Sequence, residues 1–248
     1  MKTFVINLKR STQRRDYIEN HLKGLGLKYE ILDATDGKQL NREVIAKIHN
    51  QPLSQKLLKH SLTLGEIACA HSHIRIYERI VREKIPYTLI VEDDAVIDKK
   101  LLPFLCEEFL KQSDFDWLQI NYPPLGLAFI KNWLTASRIR IKQKPSYLIM
   151  VILKFPGIII LSLIDEVRSR FYAKQPRICT VLRPLYTTGC YIITLAGAKK
   201  LLDFGNPIIY AADMLPNRAR LKVSFKMKAV FPLLVNQKED FSSDIGAR

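Results

Sequence analysis

The stretch Tyr87-Thr88-Leu89-Ile90-Val91-Glu92-Asp93-Asp94 decides the fold class, because a short β-rich run is followed at once by three carboxylates. A run of this kind is typical of a strand buried in a parallel sheet. In open α/β sheets, ligands bind beyond the carboxyl ends of the strands. Adjacent carboxylates also favour a nearby cation. The stretch therefore predicts a central strand that ends at a charged ligand site.

Helical patterns flank this strand on both sides. Thr63 is placed to cap a helix, and Glu66 three residues later is placed to close a capping box onto it. Apolar residues then recur at spacings of three and four up to about Glu83, which predicts one buried helix face. After the strand, Asp98 is placed to cap an amphipathic helix from Lys99 to Lys111. The order of elements around the strand is thus helix, strand, helix.

The rest of the chain repeats this alternation. The N-terminal part has the pattern of a strand, a helix and a strand over residues 3–8, 12–23 and 29–32. Further predicted elements are strands at residues 117–121 and 191–193, a helix at 195–202 with Thr194 as its cap, and strand pieces at 229–231 and 233–235. Such alternation predicts an α/β fold, with helices packed on a sheet.

Composition limits the class of protein. The 248 residues include 39 Lys plus Arg and 24 Asp plus Glu, which gives a formal net charge of +15. A hydrophobic fraction of 48% excludes collagen-like and disordered chains. The length suits one α/β domain, so residues 1–248 are expected to form a single domain.

The positive charge is concentrated in the middle of the chain. Residues 117–202 hold 13 basic and two acidic side chains, and no acidic residue occurs from Trp117 to Ile164. Basic and apolar residues mixed in this way are typical of a surface that meets anions and apolar matter together. Residues 125–180 are therefore expected to form a basic, apolar and helical insertion that docks an anionic, partly apolar surface such as a membrane.

Within this insertion, residues 147–164 form a nearly unbroken apolar run. Lys154, Pro156 and Gly157 lie at its centre and argue against a single membrane-spanning helix. The pattern predicts two shorter helices joined at residues 155–157. Two interpretations stay open, in which these helices either pack into the protein or form a hairpin at a membrane interface.

Cysteine usage and the first residues bear on the compartment. Cys69, Cys106, Cys179 and Cys190 are far apart and form no Cys-x-x-Cys pair, so reduced and mostly buried thiols are expected. The first apolar run covers only Phe4 to Ile6, which is too short for a signal peptide. These features predict a cytoplasmic location.

The acidic run contains a recognisable metal-binding element. Glu92 and Asp94 form an (Asp/Glu)-x-Asp pattern, by which nucleotide-sugar transferases hold a metal on a diphosphate. Acidic triplets also occur on solvated loops, so a strand end with solvated carboxylates is the structural alternative.

An ordered series of sequence blocks gives the motif its context. The blocks are residues 5–8 with Arg10, Arg14 and Arg15; residues 64–69 with Ser72 and His73; residues 90–95; residues 189–193 with Gly197 and Ala198; Asp213; and Gln237 with Ser242 or Ser243. This series resembles the glycosyltransferase family 25 proteins, which include bacterial lipooligosaccharide galactosyltransferases and collagen galactosyltransferases. The resemblance covers roughly residues 3–100 and 185–245. It departs from the family at Ala211-Ala212, where Pro-Val is usual, and residues 125–180 have no counterpart among the motifs.

The resemblance implies a GT-A-like fold, a UDP-sugar donor and inversion at the anomeric carbon. It also implies a divalent cation on Glu92 and Asp94, with manganese as the first candidate and magnesium as the second. Six residues are expected to contact the donor: Asn7, Arg10, Arg14, His73, Asp93 and Gly189. Asp213 is the candidate catalytic base, although it could instead be a further metal ligand or a helix cap. His71 and His73 lie about 200° apart on a helix, so they do not share a site on one face.

These features together predict an inverting hexosyltransferase. It would move a hexose, with galactose as the first candidate, from a UDP-sugar to a lipooligosaccharide or lipopolysaccharide acceptor at the inner face of the cytoplasmic membrane. The basic block would dock this lipid-linked and anionic acceptor by peripheral association. Two alternatives remain: a basic nucleic-acid-binding protein and a catalytically silent partner of another glycosyltransferase. No nucleic-acid-binding motif occurs, so no nucleic-acid partner is expected.

Overall fold

The computed structural model describes residues 1–122, residues 147–238, Asp240 and six single positions between them. Those six positions are Lys131, Leu134, Thr135, Ser137, Arg138 and Lys142. The strands are β1 (Lys2–Asn7), β2 (Glu30–Asp33), β3 (Tyr87–Glu92), β4 (Ala95–Ile97), β5 (Trp117–Gln119), β6 (Arg177–Thr180), β7 (Cys190–Thr194), β8 (Met227–Phe231) and β9 (Val235–Gln237). The α-helices are α1 (Thr12–Gly24), α2 (Arg42–Ile48), α3 (Gln51–Leu58), α4 (Leu64–Arg82), α5 (Glu107–Gln112), α6 (Tyr147–Phe171), α7 (Leu195–Gly205) and α8 (Met214–Lys222), with 3-10 helices at Gly37–Gln39 and Lys99–Leu105.

Seven of the strands form one mixed sheet in the order β2-β1-β3-β7-β5-β8-β6. Strands β1, β2 and β3 are parallel, β7 runs antiparallel to β3 and β5, and β6 runs antiparallel to β8. Strands β4 and β9 form a separate antiparallel pair. The expected α/β fold is confirmed, with a mixed sheet at its centre, and β6 makes the end of the proposed insertion an edge strand of that sheet.

Apolar side chains fill both faces of this sheet. Alternate residues of one strand enter opposite layers, so Phe4 joins one hydrophobic cluster and Val5 joins the other. Helices α4, α7 and α8 cover the first face, while α1 and the segment 99–110 cover the second. Helices on both faces bury the central strands, which explains why β3 is an almost continuous apolar run.

Helix α4 begins as the sequence predicts. The Thr63 side chain accepts a hydrogen bond from the Glu66 backbone N–H, and the Glu66 carboxylate accepts one from the Thr63 backbone N–H. This capping box satisfies two N–H groups that have no partner within the helix. The predicted buried face, from Ile67 to Tyr77, packs in the first cluster. The cap thereby fixes the end of α4 that carries the second sequence block.

The single helix predicted from Lys99 to Lys111 is wrong. The chain instead forms a 3-10 helix at Lys99–Leu105 and then the short helix α5, with Cys106 extended between them. Pro103 lies inside the first of these elements and donates no backbone hydrogen bond, which disfavours continuous α-helix there. The Asp98 cap is confirmed, because its carboxylate accepts from the Lys100 N–H at 2.8 Å.

The two helices predicted around residues 155–157 are also wrong. Helix α6 runs without a break through Pro156. A proline removes one hydrogen bond from a helix interior, while the long helical runs on both sides keep theirs. No helix within the described part of the chain is both long enough and apolar enough to cross a membrane. Residues 123–130 and most positions up to 146, which begin the proposed insertion, lie outside the described residues.

Two smaller expectations also have outcomes. The last strand covers Val235–Gln237 and not residues 233–235. All four cysteines are free thiols; Cys190 is buried, Cys69 and Cys179 are partly buried, and Cys106 is exposed. The serines matched near the C-terminus, Ser242 and Ser243, lie outside the described residues.

Candidate donor and metal site

A cavity of about 710 Å³ opens at the carboxyl ends of β1 and β3. Its walls come from the start of α1, the 3-10 helix at Gly37–Gln39, the first turns of α4 and the end of β9. The lining includes Arg10, Arg14, Lys38, Cys69, Ser72, His73, Glu92, Asp93, Asp94, Gln237 and Lys238. This volume is within the range of ligand pockets. The edge of the sheet predicted from sequence is thus the place where the charged residues meet.

Arg14 supplies a positive charge at the acidic triplet. Its Nε donates to Asp93 Oδ1 at 2.7 Å, and its Nη2 lies 2.5 Å from that oxygen and 3.0 Å from Asp94 Oδ2. One turn of α1 therefore holds two consecutive carboxylates together. A guanidinium suits this task because its planar fork presents several donors at once.

Asn7 lies beneath this pair, at the end of β1. Its Nδ2 donates to Asp93 Oδ2 at 2.7 Å and to the Ser11 carbonyl at 3.2 Å. Asn7 is 1% exposed and is absent from the cavity lining. The side chain is thus placed to orient Asp93 and to fasten the turn from β1 into α1.

Glu92 is held by two residues on other elements. The Thr188 hydroxyl donates to Glu92 Oε1 at 2.5 Å, and His73 Nε2 lies 3.4 Å from the same oxygen. Burial acts to raise the pKa of Glu92, but His73, Thr188 and the charge of Arg14 together hold that pKa below its ordinary value. The carboxylate is therefore kept ionised although it faces a buried environment.

Asp94 has the opposite electrostatic balance. Burial, followed by the charge of Glu92, raises the pKa of Asp94 to about 6 although Arg14 acts against the shift. Its Oδ1 is buried without a hydrogen-bond partner among the described residues. An oxygen without a partner beside a second carboxylate fits the ligand preference of a hard divalent cation. The residues present thus fit the metal that the motif implies.

His73 is fixed by a chain of hydroxyl groups. Its Nδ1 lies 2.6 Å from the Tyr191 hydroxyl, which lies 2.9 Å from the Tyr77 hydroxyl. His71 points elsewhere and contacts the Thr35 hydroxyl at 2.9 Å. The two histidines therefore face different surroundings, in agreement with their angular separation on the helix.

Basic residues also line the cavity. Arg10 Nε donates to Asp36 Oδ2 at 2.8 Å, and Asp36 Oδ1 accepts from the Lys38 backbone N–H at 3.0 Å. Lys238 Nζ lies 4.6 Å from the centre of the Tyr17 ring. The lining thus combines carboxylates with basic side chains, which suits a ligand that carries an anionic group and a bound cation.

Besides Asn7, two predicted site residues, Gly189 and Asp213, lie outside the lining. The Gly189 carbonyl accepts from the Glu92 backbone N–H at 2.9 Å, and a Cβ at this position would lie 2.8 Å from Asn121 Oδ1. Asp213 precedes α8 but makes no side-chain cap for that helix. Its charge contributes, after burial and Glu92, to the raised pKa of the Cys69 thiol, so Asp213 lies near the inner side of the site.

Thr188 and Cys69 also belong to the site, although neither is among the site residues predicted from the sequence. Cys69, His73 and Glu92 each offer a ligand atom, and these atoms all lie within 4.8 Å of one another, so a three-residue metal site is present as a candidate. The i,i+4 spacing of Cys69 and His73 was the available signal, because such residues share one helix face. Thr188 had no local signal, since it lies 96 residues from Glu92 in the chain.

Comparison with known proteins agrees with this geometry. Residues 1–216 match the model of glycosyltransferase family 25, described as LPS biosynthesis protein. A "Glycosyltransferase 25 family member" of Drosophila pseudoobscura pseudoobscura is 39% identical over 98 residues, which is 38% of this chain and 16% of the relative. Human "Procollagen galactosyltransferase 2" is 31% identical over 150 residues, which is 54% of this chain and 24% of the relative.

A bacterial relative is matched over a larger share of its own length. The "Lipooligosaccharide biosynthesis protein lic2B" of Haemophilus influenzae is 32% identical over 117 residues, which is 45% of this chain and 42% of the relative. The chain therefore spans less than half the length of each of these relatives. Its seven-stranded mixed sheet with flanking helices is consistent with a GT-A-like glycosyltransferase fold. With the family match over most of the chain, the protein belongs to glycosyltransferase family 25.

Proposed function

We propose that this glycosyltransferase transfers a hexose, with galactose as the first candidate, from a UDP-sugar to a lipooligosaccharide or lipopolysaccharide acceptor with inversion. The observation that carries the proposal is a cavity whose lining brings Glu92, Asp93 and Asp94 together with basic side chains. Relatives named procollagen galactosyltransferase and lipooligosaccharide biosynthesis protein support the choice of sugar and acceptor.

Glu92 and Asp94 are the proposed ligands of a divalent cation, manganese first and magnesium second. When bound, such an ion would neutralise the charge of the departing nucleoside diphosphate. Thr188 and Arg14 keep these carboxylates in place through the contacts described above. The basic residues Arg10 and Arg14 are proposed to attract the diphosphate, because cationic side chains around a cleft concentrate anionic ligands.

Asp93 and His73 are the proposed polar contacts of the donor within the cavity. Both are in the lining, and both are held from behind: Asp93 by Asn7, and His73 by Tyr191. Asn7 and Gly189 then act as positioning residues, since Asn7 orients Asp93 and the Gly189 carbonyl fixes the Glu92 backbone. Groups held in this way lose little freedom when the ligand binds.

Asp213 is the proposed base that accepts the proton of the attacking acceptor hydroxyl. Inversion requires attack from the face opposite the leaving diphosphate, so the base belongs on the side away from Arg10 and Arg14. After burial and Glu92, the charge of Asp213 contributes to the raised pKa of the Cys69 thiol on α4, and this proximity supports the assignment. The backbone around Asp213 is fixed by Asn217, whose Nδ2 donates to the Asp213 carbonyl at 2.8 Å.

A transfer assay with the purified chain tests the proposal. The assay supplies manganese, a panel of UDP-hexoses and a truncated lipooligosaccharide, and Asp94→Asn is expected to lower kcat by at least about a hundredfold. Asp114→Asn is the matched control, because Asp114 is an exposed aspartate that pairs with Lys226. Absence of transfer from every donor, or full transfer by Asp94→Asn, would overturn the mechanism.

A catalytically silent protein is the second candidate, and one relative favours it by name. The "Probable inactive glycosyltransferase 25 family member 3" of Rattus norvegicus is 30% identical over 122 residues, 45% of this chain and 21% of the relative. The same assay separates the two candidates. Donor binding measured by calorimetry without either transfer or donor hydrolysis would favour the silent protein.

A further inference from the structure

We propose that Cys69, His73 and Glu92 form a second metal site, selective for a borderline divalent ion such as zinc, on the inner wall of the cavity. This site differs from the oxygen-ligand site at Asp94 in its donor atoms. It does not depend on the proposed transfer reaction.

Helix geometry brings two of the ligands together. Cys69 and His73 are four residues apart on α4, so their side chains lie on one face of the helix, and that face meets the end of β3 at Glu92. The three ligand atoms already lie within 4.8 Å of one another. A tetrahedral zinc ion requires separations of about 3.5 Å, given bonds of about 2.0–2.3 Å. The observed separations, at most 4.8 Å, thus exceed those around a bound ion by about 1.3 Å or less.

The imidazole of His73 is prepared to bind a metal. His73 is 2% exposed, and its Nε2 has no hydrogen-bond partner within the described chain. That atom faces Glu92 Oε1 at 3.4 Å, while Nδ1 is engaged by the Tyr191 hydroxyl at 2.6 Å. Metal-ligating histidines commonly use one ring nitrogen for the metal and hold the other in such a hydrogen bond. Tyr191, which contacts Tyr77, thus fixes the orientation of the imidazole ring.

The donor set determines which ion the site prefers. A sulfur, an imidazole nitrogen and a carboxylate oxygen form a set that zinc accepts, whereas manganese and magnesium prefer oxygen ligands. All three ligands line the cavity, which leaves room for water as a fourth ligand.

Glu92 is a ligand of both proposed metal sites, and the effect of zinc on sugar transfer therefore rests on the proposed function. Zinc at this site removes Glu92 from the manganese pair, so zinc is expected to inhibit transfer in competition with manganese. The binding itself is measured without any donor or acceptor.

Cobalt is the probe, because a Co²⁺ ion bound by a thiolate gives charge-transfer absorption that an all-oxygen site does not. We expect the full chain to show this absorption at one equivalent of Co²⁺, and zinc to remove it. Cys69→Ser is expected to abolish the band and to weaken zinc binding at least tenfold. Cys106→Ser is the matched control, because Cys106 is exposed and is the residue before α5.

A second variant distinguishes the loss of a metal ligand from misfolding of the chain. Glu92→Gln keeps the size of the side chain and is expected to weaken cobalt binding at least tenfold while the circular dichroism spectrum stays unchanged. Absence of the band in the wild-type chain, or its persistence in Cys69→Ser, would overturn the proposed site. Loss of sugar transfer with an intact cobalt spectrum would count against the proposed function and leave this site standing.

Discussion

At the scale of single residues, Arg14 offsets part of the negative charge of the acidic triplet. It contacts Asp93 and Asp94 directly, so it both binds these carboxylates and competes with any cation that they hold. The positive charge of Arg14 is expected to weaken the binding of a metal ion and to strengthen the binding of the anionic donor. A substitution that removes the charge separates them.

Arg14→Met is expected to strengthen manganese binding and to weaken UDP-sugar binding. A unit charge several ångströms away contributes on the order of 1–3 kcal/mol at an effective dielectric constant near 20, so changes of about fivefold to a hundredfold are expected in each direction. Calorimetry with manganese alone, and then with UDP and manganese, measures both affinities. Arg15→Met is the control, because Arg15 pairs with Glu19 on α1. Weaker binding of both ligands would mean that Arg14 only maintains the structure.

His21 gives the fold a dependence on pH. Its Nε2 accepts a hydrogen bond from the Ile97 N–H at 2.8 Å, and burial lowers the pKa of His21. Protonation at Nε2 would remove that acceptor. The unfolded state therefore takes up a proton more readily, so the contribution of His21 to stability is complete above about pH 6.5 and is lost as the pH falls toward the lowered pKa.

We expect urea unfolding of the wild-type chain to require less denaturant at pH 5 than at pH 7.5. His21→Gln keeps an acceptor without a titrating ring, so it is expected to reduce this difference. His60→Gln is the control, because His60 is exposed and its ring contacts the neighbouring Ser61 carbonyl. An unchanged pH profile in His21→Gln would show that other groups cause the dependence.

The residues found from sequence share a local signal. The acidic triplet follows a strand, and Arg14 belongs to a short basic turn after another strand, so both could be placed at one sheet edge before the structure was known. Thr188 and Tyr191 come to Glu92 and His73 from β7 and the loop before it. Their contacts depend on the antiparallel position of β7 beside β3, which no local pattern reveals.

At the scale of elements, sequence patterns predicted the limits of a helix correctly where its cap, its apolar face and its end signal agree. Helix α4 has a capping box, an apolar face and a defined end, and its predicted and observed limits agree. The predictions failed at Pro103 and Pro156, where the rules for proline conflict with the surrounding sequence. A 3-10 helix forms at Pro103, whereas α6 continues through Pro156. Proline identifies a weak position, but packing on either side decides whether the helix ends there.

Helix α6 presents an apolar stripe to the solvent. Its residues recur at spacings of three and four: Ile160, Leu163, Ile164, Val167 and Phe171. The opposite side is anchored, because buried Asp165 accepts from Arg183 Nε at 2.8 Å. A helix fixed on one side and apolar on the other has the form of an amphipathic surface element.

At the scale of the whole molecule, the cavity and the stripe lie on different parts of the sheet, and we expect the first to bind the donor and the second to bind the acceptor. The cavity lies at the ends of β1 and β3, whereas α6 leads into β6 at the far edge of the sheet. In the sequence, thirteen basic residues fall between positions 117 and 202, the segment that contains α6. This separation means that membrane binding and donor binding are expected to respond to different substitutions.

The last prediction concerns that separation. Exposed side chains such as Val167, which is 65% exposed, and Phe171, which is 80% exposed, are expected to insert into the interface of vesicles that contain anionic lipid. Val167→Asp with Phe171→Asp is expected to weaken vesicle binding by at least about tenfold, since burying one such side chain contributes about 1.5–3 kcal/mol. UDP affinity is expected to stay unchanged. Leu221→Asp is the matched control, because Leu221 is 64% exposed on α8. Vesicle flotation at low and high salt measures the binding, and equal loss of vesicle and UDP binding would show that the two surfaces are one functional unit.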